Sequence, residues 1–358
     1  MSALFHPLRV SRIEQDTDDA RVITLDVPDD LRSAFAFVPG QHLTLRTVIN
    51  GHEARRSYSI CSGLDEAVLR IGVRRVTGGL VSGWLHDHLQ VNDQMEVMPP
   101  EGRFCVQPDP KARRHYLGIA GGSGITPLLS IMKSVLAREP GSRFTLLYGN
   151  RRQQSTMFKE EIEDLKNRYL TRLSLHLVFS QEHMEAPLSG GRLDRAGLAR
   201  FLGPLVAPGR IDQALVCGPG AFNDEVEAAL LDASVAPERI HIERFGIPPS
   251  TPGLQDTLPE RAGSAQARVT VIRDGLRREI DFQVVHGSLL DAAAQAGLEV
   301  PYSCKSGVCC TCRARLLEGE VRMLRNFALD KKEVAAGFIL SCQAQPLTER
   351  VVISFDER

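Results

Sequence analysis

No run of apolar residues in this chain approaches the roughly 18–20 that a helical bilayer crossing requires, which argues against a membrane-spanning helix. Nor is there an excess of charge of either sign: 43 Lys and Arg stand against 44 Asp and Glu, a formal net charge of −1. A global basic field, the feature that draws proteins to nucleic acid or anionic membranes, is therefore missing, and neither is expected as a partner. Residues 1–12 mix polar and charged side chains with apolar ones and hold no signal-peptide core, so the expected location is the cytoplasm. An even spread of cysteines, the mark of a secreted disulfide framework, is absent as well. Five of the eight, Cys304, Cys309, Cys310, Cys312 and Cys342, crowd into the last 55 residues. Such a local cluster asks for a metal.

What is present fits a soluble globular protein: 358 residues, 43% hydrophobic and 24% charged, enough for two or three domains. From residue 22 to about 104 short β-rich runs (22–27, 42–45, 68–73) are punctuated by Pro39-Gly40, Asn50-Gly51 and Gly78-Gly79. They predict an antiparallel barrel or sandwich interrupted by one helix over 80–89. From about residue 113 strands alternate with helices, predicting a parallel sheet: strands at 116–120, 144–148, 173–179, 214–216 and 240–245, helices at 127–137, 158–168 and 222–232. Its ligand is expected at the carboxyl ends of the strands. Residues 247–266 carry four prolines and two glycines with almost no apolar periodicity and read as a tether. Beyond them Asp274-Gly275 predicts a hairpin between 268–273 and 276–282. Ser288 is placed to cap a helix ending near Ala296-Gly297, and Glu318-Gly319 predicts a second hairpin.

Cys304-x4-Cys309-x2-Cys312, followed after 29 residues by Cys342, is the plant-type [2Fe–2S] spacing, with three thiolates on one tight loop and the fourth supplied from a distance. Ser306 and Gly307 let the backbone come close enough to give N–H groups to sulfur. A structural zinc site is the alternative, but four-cysteine zinc sites favour two C-x2-C knuckles and one such pair is present. Cys310 breaks the spacing and reads as a packed thiol; Cys61 and Cys105 read as small buried hydrophobes.

Arg56-Ser57-Tyr58-Ser59 offers a guanidinium for a pyrophosphate, an aromatic ring to lie against a flavin and a hydroxyl near its reactive nitrogen, although a plain strand has the same pattern. Gly78-Gly79-Leu80-Val81-Ser82 opens a helix whose first N–H groups suit the same pyrophosphate. Gly121-Gly122-Ser123-Gly124-Ile125-Thr126-Pro127 joins strand to helix, with Thr126 a candidate cap and Pro127 in the first turn. It lacks the third glycine of the dinucleotide fingerprint, and a simple tight turn is the alternative. Cys217-Gly218-Pro219-Gly220 closes another strand where a nicotinamide could meet a flavin. After Tyr148-Gly149-Asn150 come Arg151 and Arg152 and no early acidic residue, a pattern that favours the 2′-phosphate of NADPH over NADH.

In this order the motifs resemble the ferredoxin-NADP reductase-type flavoproteins that carry a C-terminal plant-type ferredoxin. Pro39–Leu45, Tyr148–Arg151, His241–Phe245 and Pro301–Cys312 are most similar to the reductase subunits of phenylacetyl-CoA epoxidases. The resemblance implies an FAD-binding β-barrel over 1–110, an NADPH-binding α/β domain over 111–246, a linker over 247–266 and an α+β (β-grasp) ferredoxin over 267–358. It implies bound FAD, NADPH as donor, and a multisubunit di-iron oxygenase of phenylacetate degradation as acceptor. Carried over by position, Arg56, Ser57, Tyr58 and Ser59 contact FAD, with Gly79, Leu80, Val81 and Ser82 at its pyrophosphate. Gly122, Gly124, Thr126 and Arg151 hold NADPH, Cys217, Gly218 and Pro219 border the nicotinamide, and Phe245 covers the flavin. Ser59, Cys217 and Phe245 are then the residues nearest the hydride path, and Cys304, Cys309, Cys312 and Cys342 the cluster ligands. Two departures, Lys305-Ser306-Gly307 in place of Lys-Gly-Gly and Met323–Phe327 in place of a more acidic stretch, leave the acceptor open between this oxygenase, a steroid hydroxylase and others. A redox sensor using the cluster without turnover is the reading from a different class.

Overall fold

The computed structural model describes residues 4–184, 186, 188–246 and 266–357, so the expected tether lies outside the described residues except for Gln266, which opens a strand. The chain forms two compact units, one over Phe5–Phe245 and one containing Gly246–Arg358.

The first unit begins with strands β1 (His6–Thr17), β2 (Ala20–Asp26), β3 (His42–Ile49), β4 (His52–Ser59) and β5 (Leu69–Arg74), then helix α1 (Leu80–Asp87) and strand β6 (Gln94–Val97). Every pairing in the sheet, order β4-β3-β6-β1-β2-β5, is antiparallel. The edges close on each other through the Ile60–Ile71 bridge and the Cys61 N–H to Arg70 carbonyl bond of 2.9 Å, making a barrel. Strand β1 is not legible in the sequence, because its hydrophobic alternation is diluted by Arg9, Arg12, Glu14 and Asp16; it buries only Leu8, Val10 and Thr17.

The same unit continues with β7 (His115–Gly121), α2 (Ile125–Arg138), β8 (Arg143–Asn150), α3 (Lys159–Arg168), β9 (Leu173–Phe179), α4 (Arg195–Ala199), β10 (Gln213–Gly218), α5 (Gly220–Asp232) and β11 (Ile240–Arg244). The parallel order β9-β8-β7-β10-β11 reverses direction between β7 and β10, the crevice where open α/β sheets take ligands. Helix α2 is buried along Ile125–Leu136, because one face covers the sheet and the other meets the barrel. One apolar cluster runs through both halves, joining Ala20, Val22, Cys61 and Phe104 to Leu128, Ile131 and Tyr148. Thr126 is not the expected cap: a 3-10 turn over Gly122–Gly124 moves the cap to Gly124, and the Thr126 hydroxyl donates to the Ser123 carbonyl at 3.1 Å.

Asp16 on β1 accepts the Phe158 N–H at the start of α3 at 3.1 Å, and burial pushes its carboxyl up to about 6. The folded chain therefore binds a proton near pH 5 that the unfolded chain does not, and this contribution to stability is lost as pH rises through about 6. Asp16→Asn, which keeps an acceptor for Phe158 and removes the charge, is expected to raise Tm at pH 8 by roughly 2–4 °C. The gain should shrink below pH 6 and vanish near pH 4; a Tm unchanged at pH 8 in a thermal scan refutes the assignment.

The second unit contains β12 (Gln266–Arg273), β13 (Leu276–Gln283), α6 (Leu289–Gln295), β14 (Arg313–Glu318), β15 (Val321–Met323), α7 (Lys331–Ala335), β16 (Phe338–Leu340), β17 (Ala344–Pro346) and β18 (Arg350–Ser354). Its mixed sheet runs β13-β12-β18-β14-β16 with β12 and β18 parallel at the centre. The Asp274-Gly275 hairpin forms with both residues at positive φ, and Ser288 caps α6 by accepting the Asp291 N–H. The second expected hairpin does not form. Gly319 turns the chain, but β14 pairs with β16 and β18 while β15 crosses to β17, because β14 buries Ala314 and packs Leu316 in the core under the main sheet.

Candidate functional site

On the barrel, β3 and β4 align His42 with Ser59, Leu43 with Tyr58 and Thr44 with Ser57. Strand alternation puts Arg56 and Tyr58 on one face and Ser57 and Ser59 on the other. Arg56 is exposed, its Nη1 donating to the neighbouring Arg55 carbonyl at 2.7 Å, so the rest of the guanidinium is open to an anion. Tyr58 packs half-buried against the barrel core, which raises its phenol above the ordinary range and keeps it neutral. Ser59 is buried. His42, opposite it, stands out in the sequence only as part of a longer motif. Burial holds its ring down to about 4, and its Nε2 has no partner among the described residues. Gly78 at φ +70° delivers the chain to Gly79, which precedes α1. The Ser82 hydroxyl accepts the Val76 N–H at 3.1 Å and braces the turn whose first amides lack helical partners.

At the reversal point of the sheet, Gly122 turns at φ +54° and its carbonyl accepts the Tyr148 hydroxyl at 3.0 Å. A Cβ on Gly124 would lie 2.0 Å from the Cys217 carbonyl oxygen, so this glycine lets the start of α2 touch the end of β10. A Cβ on Gly218 would meet Phe222 at 2.4 Å. The strand register places Cys217 between Ala120 and Glu243, and burial first, then the Glu243 charge, raises the Cys217 thiol well above its ordinary value. Cys105, half-buried rather than fully buried as expected, is pushed up to about 12 by burial and by the same carboxylate. Glu243 thus lies close to both thiols; in the sequence it stands only inside the His241–Phe245 motif, which gives it no role of its own. Phe245, just past β11, is 45% exposed, free to cover a ring. Arg151 is exposed beyond the end of β8, at the same carboxyl end of the parallel sheet as Gly122 and Gly124.

In the second unit Lys305, Gly307 and Cys310 all take positive φ, curling the 304–312 loop so that its amides face sulfur, as in the Ser306 N–H to Cys304 Sγ contact of 3.3 Å. The four spaced cysteines fall into two pairs: Cys309 donates to Cys304, whose thiol is held down to about 5, and Cys312 donates to Cys342, whose thiol is also lowered. No three Cys, His, Asp or Glu among the described residues converge on one ion. The charges also reach across the pairs, from Cys304 to Cys342 and from Cys309 to Cys312, so the four thiols lie close together as one group. Cys312 and Cys342 are part of the apolar core, while the Cys310 thiol donates instead to the Ala328 carbonyl at 3.3 Å.

Three family models match in chain order: an oxidoreductase FAD-binding domain over residues 7–105, an oxidoreductase NAD-binding domain over 119–228 and a 2Fe-2S iron-sulfur cluster binding domain over 271–347. Barrel, switch-point crevice and thiol loop together make an electron-transferring oxidoreductase that uses FAD, a nicotinamide nucleotide and a [2Fe–2S] cluster. The chain is 43% identical over 354 residues to a subunit of the 1,2-phenylacetyl-CoA epoxidase of Escherichia coli (strain K12), covering 99% of this chain and 98% of that one. It is 36% identical over 357 residues to the 3-ketosteroid-9-alpha-monooxygenase ferredoxin reductase component of Rhodococcus rhodochrous, with coverage of 97% and 96%. The solved phthalate dioxygenase reductase, at 24% identity, shares the fold with a TM-score of 0.56 over 98% of both chains. The chain belongs to the family of reductase components of multicomponent oxygenases, and a sensor without turnover is set aside. No helix among the described residues is long and apolar enough to cross a membrane.

Proposed function

We propose that this reductase draws on NADPH, works in the cytoplasm and serves a multisubunit di-iron oxygenase that epoxidises phenylacetyl-CoA. Identity of 43%, spread over 98% of a relative that is a subunit of a 1,2-phenylacetyl-CoA epoxidase, carries the reading. FAD supplies the conversion of a two-electron donor into single electrons, and the [2Fe–2S] cluster supplies their one-electron exit. The chain's own part is to bind, align and insulate. Arg56 and the first amides of α1 would meet the flavin pyrophosphate, and Tyr58, Ser59 and Phe245 would hold its ring. Gly122 would leave room for nucleotide phosphate and ribose, Gly124 and Thr126 would hold the turn beside it in place, and Cys217, Gly218 and Pro219 would seat the nicotinamide. Cys304, Cys309, Cys312 and Cys342 hold the cluster.

The deciding measurement is NADPH oxidation with and without the epoxidase oxygenase subunits and phenylacetyl-CoA, following the epoxide. Coupled product supports the reading. NADPH oxidation that couples only to a steroid hydroxylase or another oxygenase moves the chain to that acceptor. For the nucleotide, Arg151→Ala is expected to raise KM for NADPH by about 5–10-fold and leave KM for NADH within about twofold, the loss of one charge-assisted phosphate contact. Equal changes for both nucleotides remove the assignment of a 2′-phosphate site.

A further inference from the structure

Two cations and two carboxylates are packed where the barrel meets helices α2 and α3. Lys133 of α2, 7% exposed, pairs with Glu66 of the barrel at 2.8 Å and with Glu161 of α3. Arg70 of β5 pairs with Glu161 at 2.6 Å and with Glu66 at 3.4 Å. Although burial opposes its charge, Glu161 is held below the ordinary carboxylate range by Lys133 and then Arg70. Lys133 also donates to the Cys61 carbonyl at 3.2 Å, and one turn earlier the Ser130 hydroxyl donates to the Ser62 carbonyl at 2.6 Å. Ser134 accepts the Leu64 N–H at 3.1 Å, and Gly63 comes so close that a Cβ there would lie 2.9 Å from Lys133 Cβ.

The position of this network gives it a role. Residues 61 and 62 follow directly on Tyr58-Ser59-Ile60, the end of the strand read as the flavin support, and α2 starts at the Gly122–Gly124 turn read as the nucleotide support. The network therefore ties the trailing end of one support to the body of the other. Lys133 is buried while Glu66, Arg70 and Glu161 keep part of their hydration, so the network adds little net stability: the cost of drying Lys133 offsets much of the attraction, and what the pairing can specify is a unique geometry. We propose that Lys133 is a positioning residue for hydride delivery: with Glu66, Glu161 and Arg70 it sets the register between the strand that presents Tyr58 and Ser59 and the helix that anchors the nucleotide. Binding energy at the start of α2 is thereby directed to nicotinamide–flavin alignment.

The inference rests on the assignment of flavin and nucleotide to these two supports, and the experiment separates the two. The full-length holoprotein is compared with Lys133→Met and with the charge-balanced Lys133→Met/Glu161→Gln, which leaves Glu66 and Arg70 as a pair. The expected result is an unchanged FAD and iron content and a nucleotide Kd within about threefold of the parent. Hydride transfer to the flavin in stopped flow should slow by about 10–100-fold, the cost of a sub-ångström to ångström misplacement. The long-wavelength charge-transfer absorbance of nicotinamide against flavin should weaken in parallel, and nucleotide binding should no longer protect the amides of residues 61–66 from hydrogen exchange. Parental rate, absorbance and protection in the double variant overturn the proposal and leave the network as domain packing. If Lys133→Met does not retain FAD, Glu66→Gln is read in the same way, with an expected slowing of about 3–10-fold; a parental rate there overturns it equally. A parent protein that binds neither flavin nor nucleotide would instead refute the site assignment itself.

Discussion

Cys342→Ser is expected to yield a protein whose flavin is still reduced by NADPH, within about threefold of the parent rate, but which has lost its iron, its acid-labile sulfide and at least about 100-fold of its turnover with any one-electron acceptor. Cys342 is buried in the core of the second unit and paired with Cys312, so its loss leaves the inner thiol pair with one member. Serine offers a harder oxygen on a shorter bond, a poor substitute where soft thiolates hold iron–sulfur clusters. The flavin and nucleotide supports lie wholly in the other unit and share no residue with the thiol loop, which is why the two activities should separate. Iron analysis and visible absorbance beside stopped-flow flavin reduction provide the check. A full cluster signal in the variant would falsify the assignment of the fourth ligand.

Gly124→Ala carries the second large effect. The added methyl would sit 2.0 Å from the Cys217 oxygen and 2.4 Å from its carbon, backbone atoms that cannot swing aside as a side chain could. To relieve this overlap the first turn of α2 must lift from the end of β10, opening the crevice where nucleotide phosphate and nicotinamide are to be held. Nucleotide affinity and flavin reduction are expected to fall by at least about 100-fold while FAD is retained. Overpacking of this kind costs roughly 1–3 kcal/mol, enough to lower Tm by several degrees in a unit of this size. Gly83→Ala is the matched control: nothing lies within 4 Å of its Cβ position, and alanine is the better helix former, so stability should hold or rise slightly. A Gly124→Ala protein that titrates with NADPH like its parent would show that α2 does not hold the nucleotide.

Much of this was legible in one dimension because the relevant groups are local. The Cys304–Cys312 loop, the Asp274-Gly275 hairpin and the Ser288 cap each depend on residues a few positions apart, and each strand or helix of the α/β half is likewise a local pattern; Cys342, after 29 intervening residues, is the exception. Where the reading failed, the competing contact came from elsewhere in the fold. Thr126 has the chemistry of a cap, but the preceding glycines form a 3-10 turn that supplies one first. Glu318-Gly319 has the chemistry of a hairpin, but the strands before and after it find better partners in β18, β16 and β17.

The same division holds at the site. Residue type and spacing were enough to point to a [2Fe–2S] cluster, a flavin and a nicotinamide nucleotide, which the three family models bear out, because thiolates at fixed intervals and glycines at a strand-to-helix turn carry their chemistry with them. Spacing cannot report that Gly124 abuts Cys217, that Glu243 lies beside the same cysteine, that His42 faces Ser59, or that Lys133 crosses into the barrel to meet Glu66 beside Arg70. Those pairings join residues widely separated along the chain, through sheet register and the packing of one helix on a barrel. Close packing allows only one such set of neighbours at a time, and it exists only when every layer is in place.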